Sequence, residues 1–311
     1  MSPVMLKSRP TARQLVDRLA SPVPAGIELY LDRQDLIGDD WLSVISERIQ
    51  GLTLPPSFMW IVEAPIRTIG DQFFGVTDLD DDHRETIRRV LEVGASIGAL
   101  AANIHLVAPT FNSVQLGPLA RDAALSAARP LLRYYVSVCQ DLGMIPQVEN
   151  IPPIGRMREG AFVYSPIGAR AADLVSLIAE FPSLRFTADL SHAALYLNWR
   201  AASPARVALR FRPIVDFYAE ACPVPSLSGY LAELRNRITT IHVSNADGLF
   251  GEGLGYDDGP EDLDLALQPF VQTSCHLVTE TLEPDPDQAS GMRKAQSRLL
   301  ELARAKPVRT T

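Results

Sequence analysis

LRFTADLSH, residues 184–192, is an apolar run that ends in Asp189 and is followed three residues later by His192. Working outward, three more runs end the same way: MIPQV (144–148) delivers Glu149, ITTI (238–241) delivers His242, and HLVT (276–279) delivers Glu280. A run that fires a polar residue from its C-terminal end is the signature of a strand in a parallel sheet. In a (β/α)8 barrel every strand points that end at one face, so carboxylates and imidazoles far apart in sequence meet there. Two Glu, an Asp and one or two His make a hard, oxygen-rich donor set with nitrogen, suited to Mn2+, Mg2+, Co2+ or Zn2+.

The rest of the chain alternates strand and helix with no break that marks a second domain. GIELYL (Gly26–Leu31), SFMWIVEAP (Ser57–Pro65) and NIHLV (Asn103–Val107) read as strands. TARQLVDRLA, PLLRYYVSVCQDLG and AADLVSLIAEFP read as helices, and RKAQSRLLELARA as a closing one. The prediction is one α/β domain over residues 1–311, a (β/α)8 TIM barrel, with an N-terminal extension and opening helix over 1–20 and a closing helix and tail over 287–311. Seven strands are clear; the eighth is expected between His192 and Arg237 or in the Gly-rich segment after His242. The aspartates of DLDDDHRET (78–86) lack the Gly and Glu of a calcium loop and read as a helix N-terminus, where the macrodipole favours anions.

Bulk properties set bounds. With 311 residues, 47% of them hydrophobic, the chain can bury a core of barrel size. No apolar stretch reaches the ~18 residues of a membrane span, and MSPVMLKSRPTARQ lacks the apolar core of a signal peptide, so a cytoplasmic protein without a membrane partner is expected. Cys139, Cys222 and Cys275 are odd in number and far apart, which reads as reduced thiols. A net charge of −8 opposes nucleic-acid binding and is compatible with a small neutral or chelating substrate. A homo-oligomer is compatible with the composition as well.

There are five histidines, so their positions are legible. His105, His192 and His242 fall at strand C-terminal ends; His83 reads as a surface residue, and His276 begins its strand and points to the opposite face. GEGLGYDDG (251–259) lacks a phosphate-loop spacing and reads as a mobile active-site loop or plain turns. Arg156 and Arg158 follow the Glu149 strand, as grips for an anionic group or as surface residues. Trp199, Phe211 and Phe217 are core, unless one caps a sugar face.

VENIPP, DLSHA, IHVSNADG and VTETLEP resemble the strand-end motifs of the xylose isomerase-like TIM barrels, a superfamily of sugar and sugar-phosphate isomerases and epimerases, dehydratases of inosose and 3-dehydroshikimate, and endonuclease IV. GIEL and SIGALAANIH extend the likeness over most of the chain. The resemblance implies Glu149, Asp189, His242 and Glu280 as ligands of one divalent ion and His192 as a substrate contact; His105, Asn150, Arg156 and Trp199 are further candidate contacts read from the residues and their places in the chain. Where the superfamily's second strand ends in His-Ala-Pro, this chain has Glu63-Ala64-Pro65, an added acid/base, a ligand or a buried ion-pair partner. A histidine expected after the His242 motif has no counterpart, so a three-zinc nuclease centre is hard to assemble.

The residues themselves point to proton transfer. Glu149 and Glu280 on separate strands can flank a carbon beside a chelated carbonyl, one removing a proton and the other returning it. The expected function is a metal-dependent isomerase or epimerase of a sugar, sugar phosphate or polyol. Alternatives are a dehydratase or lyase with the same metal site and, less favoured, an endonuclease IV-like nuclease or a non-catalytic barrel.

Overall fold

The strand that completes the barrel lies neither after His192 nor after His242 but in the stretch taken for an N-terminal extension. In the computed structural model, which describes residues 2–156, 160–219 and 226–305, Val4–Ser8 forms β1. It is followed by β2 (Gly26–Tyr30), β3 (Met59–Glu63), β4 (Ala101–His105), β5 (Ile145–Glu149), β6 (Arg185–Asp189), β7 (Ile238–Val243) and β8 (His276–Thr279). All eight strands are parallel and closed in sequence order, with β1 sealing the ring: Leu6 pairs with Ile27 of β2 and with Thr279 of β8.

Period-two alternation sorts every strand into an outer and an inner face. Ile27, Leu29, Val62, Ile104, Val148, Phe186, Ile241 and Leu277 belong to the large core between barrel and helices. Inside the barrel the character changes with height. Met5, Ile61, Ala101 and Val278 form an apolar floor. Above it Gln147 spans the interior, its Nε2 donating to Thr240 Oγ1 at 3.0 Å and its Oε1 accepting from Thr187 Oγ1 at 3.1 Å. Two residues further along their strands come Lys7, Glu63, Glu149, Asp189, His242 and Glu280. Layers of inward side chains from alternating strands are how such barrels fill themselves; here the top layer is ionic.

The aspartates at 78–82 do open a helix, Asp81–Ile97, with Asp80 Oδ1 accepting from the His83 amide at 2.9 Å. His83, expected on the surface, is buried, its ring between Asp80 and Phe74. Cys139 and Cys275 are free and buried; Cys222 lies outside the described residues. Among the described residues no helix is long and apolar enough to cross a membrane.

Candidate metal centre and active site

The spacing Asp189-x-x-His192 has a structural origin. Asp189 ends β6 and at the same residue N-caps the helix Leu190–Ala201, its Oδ1 accepting from the His192 amide at 2.7 Å and from Ser191 Oγ at 3.1 Å. An N-cap satisfies a free amide of the first turn, and here it leaves the other oxygen, Oδ2, facing His242 Nδ1 at 3.9 Å. Asn150 holds this junction from the side: its Oδ1 accepts from the Asp189 amide at 2.7 Å and its Nδ2 donates to the Asp189 carbonyl at 3.0 Å. With both ends of its amide used, Asn150 is a clip between β5 and β6 rather than the free substrate contact expected of it.

His242 stands at the centre, wholly buried. Its Nδ1 lies 2.8 Å from Glu280 Oε2 and 3.3 Å from Glu149 Oε1, and its Nε2 lies 2.5 Å from Glu28 Oε2. None of these contacts has hydrogen-bond geometry, so both ring nitrogens and Glu280 Oε2 are buried without a hydrogen-bond partner. Such atoms are costly unless something else satisfies them. One donor atom each from Glu149, Asp189, His242 and Glu280 lies within 4.8 Å of the others. Donors that surround a Zn2+ or Mg2+ at ~2.1 Å stand about 3–4 Å apart, so these four fit a small divalent ion.

Two groups in this ring escaped the sequence reading. Lys7, delivered by β1, places Nζ 2.6 Å from Glu63 Oε2 and 2.6 Å from Glu280 Oε1. Glu28, wholly buried in β2, backs His242 in the manner of the carboxylates that orient metal-binding imidazoles. Glu63 thus has a lysine partner; its other oxygen is 3.8 Å from His105 Nε2, which in turn is 3.7 Å from Glu149 Oε1. Asn103 Nδ2 donates to Glu149 Oε2 at 2.5 Å.

The charges split accordingly. Burial works against ionisation of Glu280, but the Lys7 ammonium and His242 pull it down to about 2. Glu149 is likewise held well below the usual carboxylate range, burial being outweighed by His242 and His105. Glu63 goes the other way, pushed well up by burial with Glu149 and Glu28 nearby, in spite of Lys7. Burial alone would lower His242, yet the surrounding Glu149, Glu28 and Glu280 hold it well above its ordinary value.

His192 lies at the rim. Its Nδ1 is 2.8 Å from the Asn150 carbonyl, which can only accept, so Nδ1 carries the proton and Nε2 faces outward, 3.8 Å from Glu252 Oε2. Glu252 sits in the segment expected to be a mobile loop or turns. Its first four residues instead form a strand, Gly251–Leu254, in a hairpin with Asn245–Asp247, and turns follow over 255–259 as expected. The hairpin is tied down by Asn198 Nδ2 to the Gly248 carbonyl, Trp199 Nε1 to the Leu249 carbonyl and the Leu282 amide to the Gly253 carbonyl. Gly253 has φ +69, and a Cβ there would stand 2.7 Å from Leu282 Cγ, so this close approach requires glycine.

Two candidates are not brought to the site. Trp199 is 0% exposed and packed edge-on against Phe211 and Phe250, so it cannot cap a sugar. Arg156 is exposed at the end of a separate two-stranded hairpin, Ile154–Arg156 with Phe162–Tyr164, and makes no contact with the ring. Arg158 lies outside the described residues.

No family model and no curated protein matches this chain. Solved structures do. An L-ribulose 3-epimerase covers 100% of both chains at 13% identity and TM-score 0.64, and a 3-keto-D-glucoside 4-epimerase from E. coli covers 97% of this chain and 100% of its own at 14% identity and TM-score 0.63. Endonuclease IV from Thermus thermophilus matches over 96% of this chain and 99% of its own, at 13% identity and TM-score 0.52. The chain has the (β/α)8 fold of the xylose isomerase-like barrels.

Proposed function

We propose that this chain is a divalent-metal-dependent isomerase or epimerase that moves a proton on a sugar or related polyol. The observation that carries the reading is the placement of Glu149 Oε1 and Glu280 Oε2, from the separate strands β5 and β8, 3.3 and 2.8 Å from one ring nitrogen of His242. Glu149, Asp189, His242 and Glu280 would hold the ion, which would supply Lewis acidity to a carbonyl and an adjacent hydroxyl. Glu149 and Glu280, both kept ionised, are the bases at hand: one takes the proton from carbon and the other returns it. His192, locked by Asn150 with Nε2 outward, would bind the substrate oxygen on which charge develops. The epimerases among the structures of this fold support the reading.

Dehydration at the same site is the second reading, favoured by the Lys7 ammonium 2.6 Å from Glu280, a proton donor for a leaving hydroxyl. The net charge of −8 supports a small-molecule substrate over nucleic acid. The test is incubation of the Mn2+-loaded chain with a panel of ketoses and polyols in D2O. Deuterium should enter at the reacting carbon, and Glu149→Gln and Glu280→Gln should each slow turnover by at least the ~10²-fold typical of a lost acid/base. Turnover without label, with both variants active, would sink the scheme; loss of a hydroxyl from product would select the dehydratase.

A further inference from the structure

The ring contains more donors than one ion can use. Besides Glu149, Asp189, His242 and Glu280, a grouping of Glu28, Glu63, His242 and Glu280 competes with that set for His242 and Glu280, whereas Glu63, His105 and Glu149 make a second set whose donor atoms lie within 4.8 Å of one another. Glu149 belongs to both sets, so the two would share it as a bridge. Yet Glu63 gives one oxygen to Lys7 at 2.6 Å, and the same ammonium holds Glu280 Oε1 at 2.6 Å. Lys7 therefore lies between the two sets and neutralises one carboxylate of each. Its own position is fixed from below by β1, which pairs on both sides in the barrel wall, and its ammonium lies 5.6 Å from the centre of the Tyr30 ring.

A fixed ammonium and a divalent ion bound through the same carboxylate repel strongly at such separations in a buried site. Removing the ammonium removes that repulsion and frees an oxygen of Glu63. We infer that Lys7 is a built-in monovalent cation that keeps a latent second divalent site, Glu63–His105–Glu149, closed and so limits the barrel to one metal ion. This rests on the single-metal reading proposed above and adds to it a residue that sets the metal count.

The experiment is a count of bound Mn2+ by calorimetric titration and elemental analysis, with electron paramagnetic resonance as a signature that does not depend on activity. Wild type should bind one equivalent and show an isolated Mn2+ signal. Lys7→Met, which keeps the apolar stem but not the charge, should bind two, with the exchange-coupled signal of ions sharing Glu149. Lys7→Arg should return the count to one, as should His105→Ala introduced into Lys7→Met. Two equivalents in wild type, or one in a folded Lys7→Met and a folded Lys7→Gln, would overturn the inference while leaving the proposed function standing. No metal in wild type would overturn both.

Discussion

Glu28 Oε2 lies 2.5 Å from His242 Nε2, a contact across the barrel interior between strands β2 and β7, which are not neighbours in the sheet. With Nε2 against Glu28, Nδ1 of the imidazole faces Glu149, Asp189 and Glu280. Carboxylates that back a metal-binding histidine are worth ~10–100-fold in metal affinity. Glu28→Gln should therefore weaken Mn2+ binding by about that factor, read by calorimetry, with circular dichroism unchanged. An unaltered dissociation constant would show that Glu28 serves packing alone.

Asn150 is expected to act through Asp189. Removing its side-chain amide leaves the buried Asp189 amide without that partner, at ~1–3 kcal/mol. Asn150→Ala should lower the melting temperature and also weaken metal binding, because Asp189 loses its clamp. A substrate-contact role would instead raise KM with metal affinity and stability intact.

Trp199 gives the opposite pattern. Its indole is wholly buried and donates to the Leu249 carbonyl at 2.9 Å. Trp199→Ala should destabilise the fold by ~3–5 kcal/mol, and Trp199→Phe by less, while the folded Trp199→Phe protein keeps its one equivalent of Mn2+. A stable Trp199→Ala with a raised KM would restore the sugar-capping role that the packing denies it.

Acid sensitivity should be measurable on the outer helix Asp81–Ile97. Glu85 accepts from Arg88 at 2.6 Å and from Arg89 at 2.7 Å, and these bonds pull its carboxyl from 4.5 to about 2. Because the folded value lies below the unfolded one, the stabilisation is full above pH 4.5 and is lost as the pH falls towards 2. Glu85 is 30% exposed and Arg88 45%, so solvent screening limits the pair to under ~1 kcal/mol. Glu85→Gln should melt a little below wild type at pH 7, and the gap should shrink steadily between pH 5 and pH 3. A constant gap would assign the difference to packing.

The positions of Glu149, Asp189, His242 and Glu280 were legible because each follows a mostly apolar run of strand length, with His192 three residues beyond Asp189. The barrel was legible for the same reason. VMLKS was not: five residues that carry a lysine and end in a serine, just after the start of the chain, look like a solvated lead-in, and only pairing with both Gly26–Tyr30 and His276–Thr279 makes them a strand. Lys7 was missed with it. Glu28 was visible in GIELYL but lies mid-strand, where the charge of one inward residue says nothing about its partner across the barrel. Glu252 was hidden by its glycines, which read as freedom although Gly253 is there for close packing against Leu282. Trp199 was proposed from residue type and Arg156 from its place just after the Glu149 strand, and neither reports which way a side chain faces.

The closure of the ring by β1 against β8 has a bearing on how the molecule is made. Lys7 and Glu280 are 273 residues apart and meet only across that last seam. Every stretch of the chain between them must already be in place, and loop-closure entropy makes such distant pairings the late ones in folding. The donors Glu149, Asp189, His242 and Glu280 stand on the consecutive strands β5 to β8, so a metal ion added during refolding can find them before that seam closes. Lys7 reaches Glu63 and Glu280 only at closure, so the arrival of its ammonium there, rather than uptake of the ion, marks completion of the barrel.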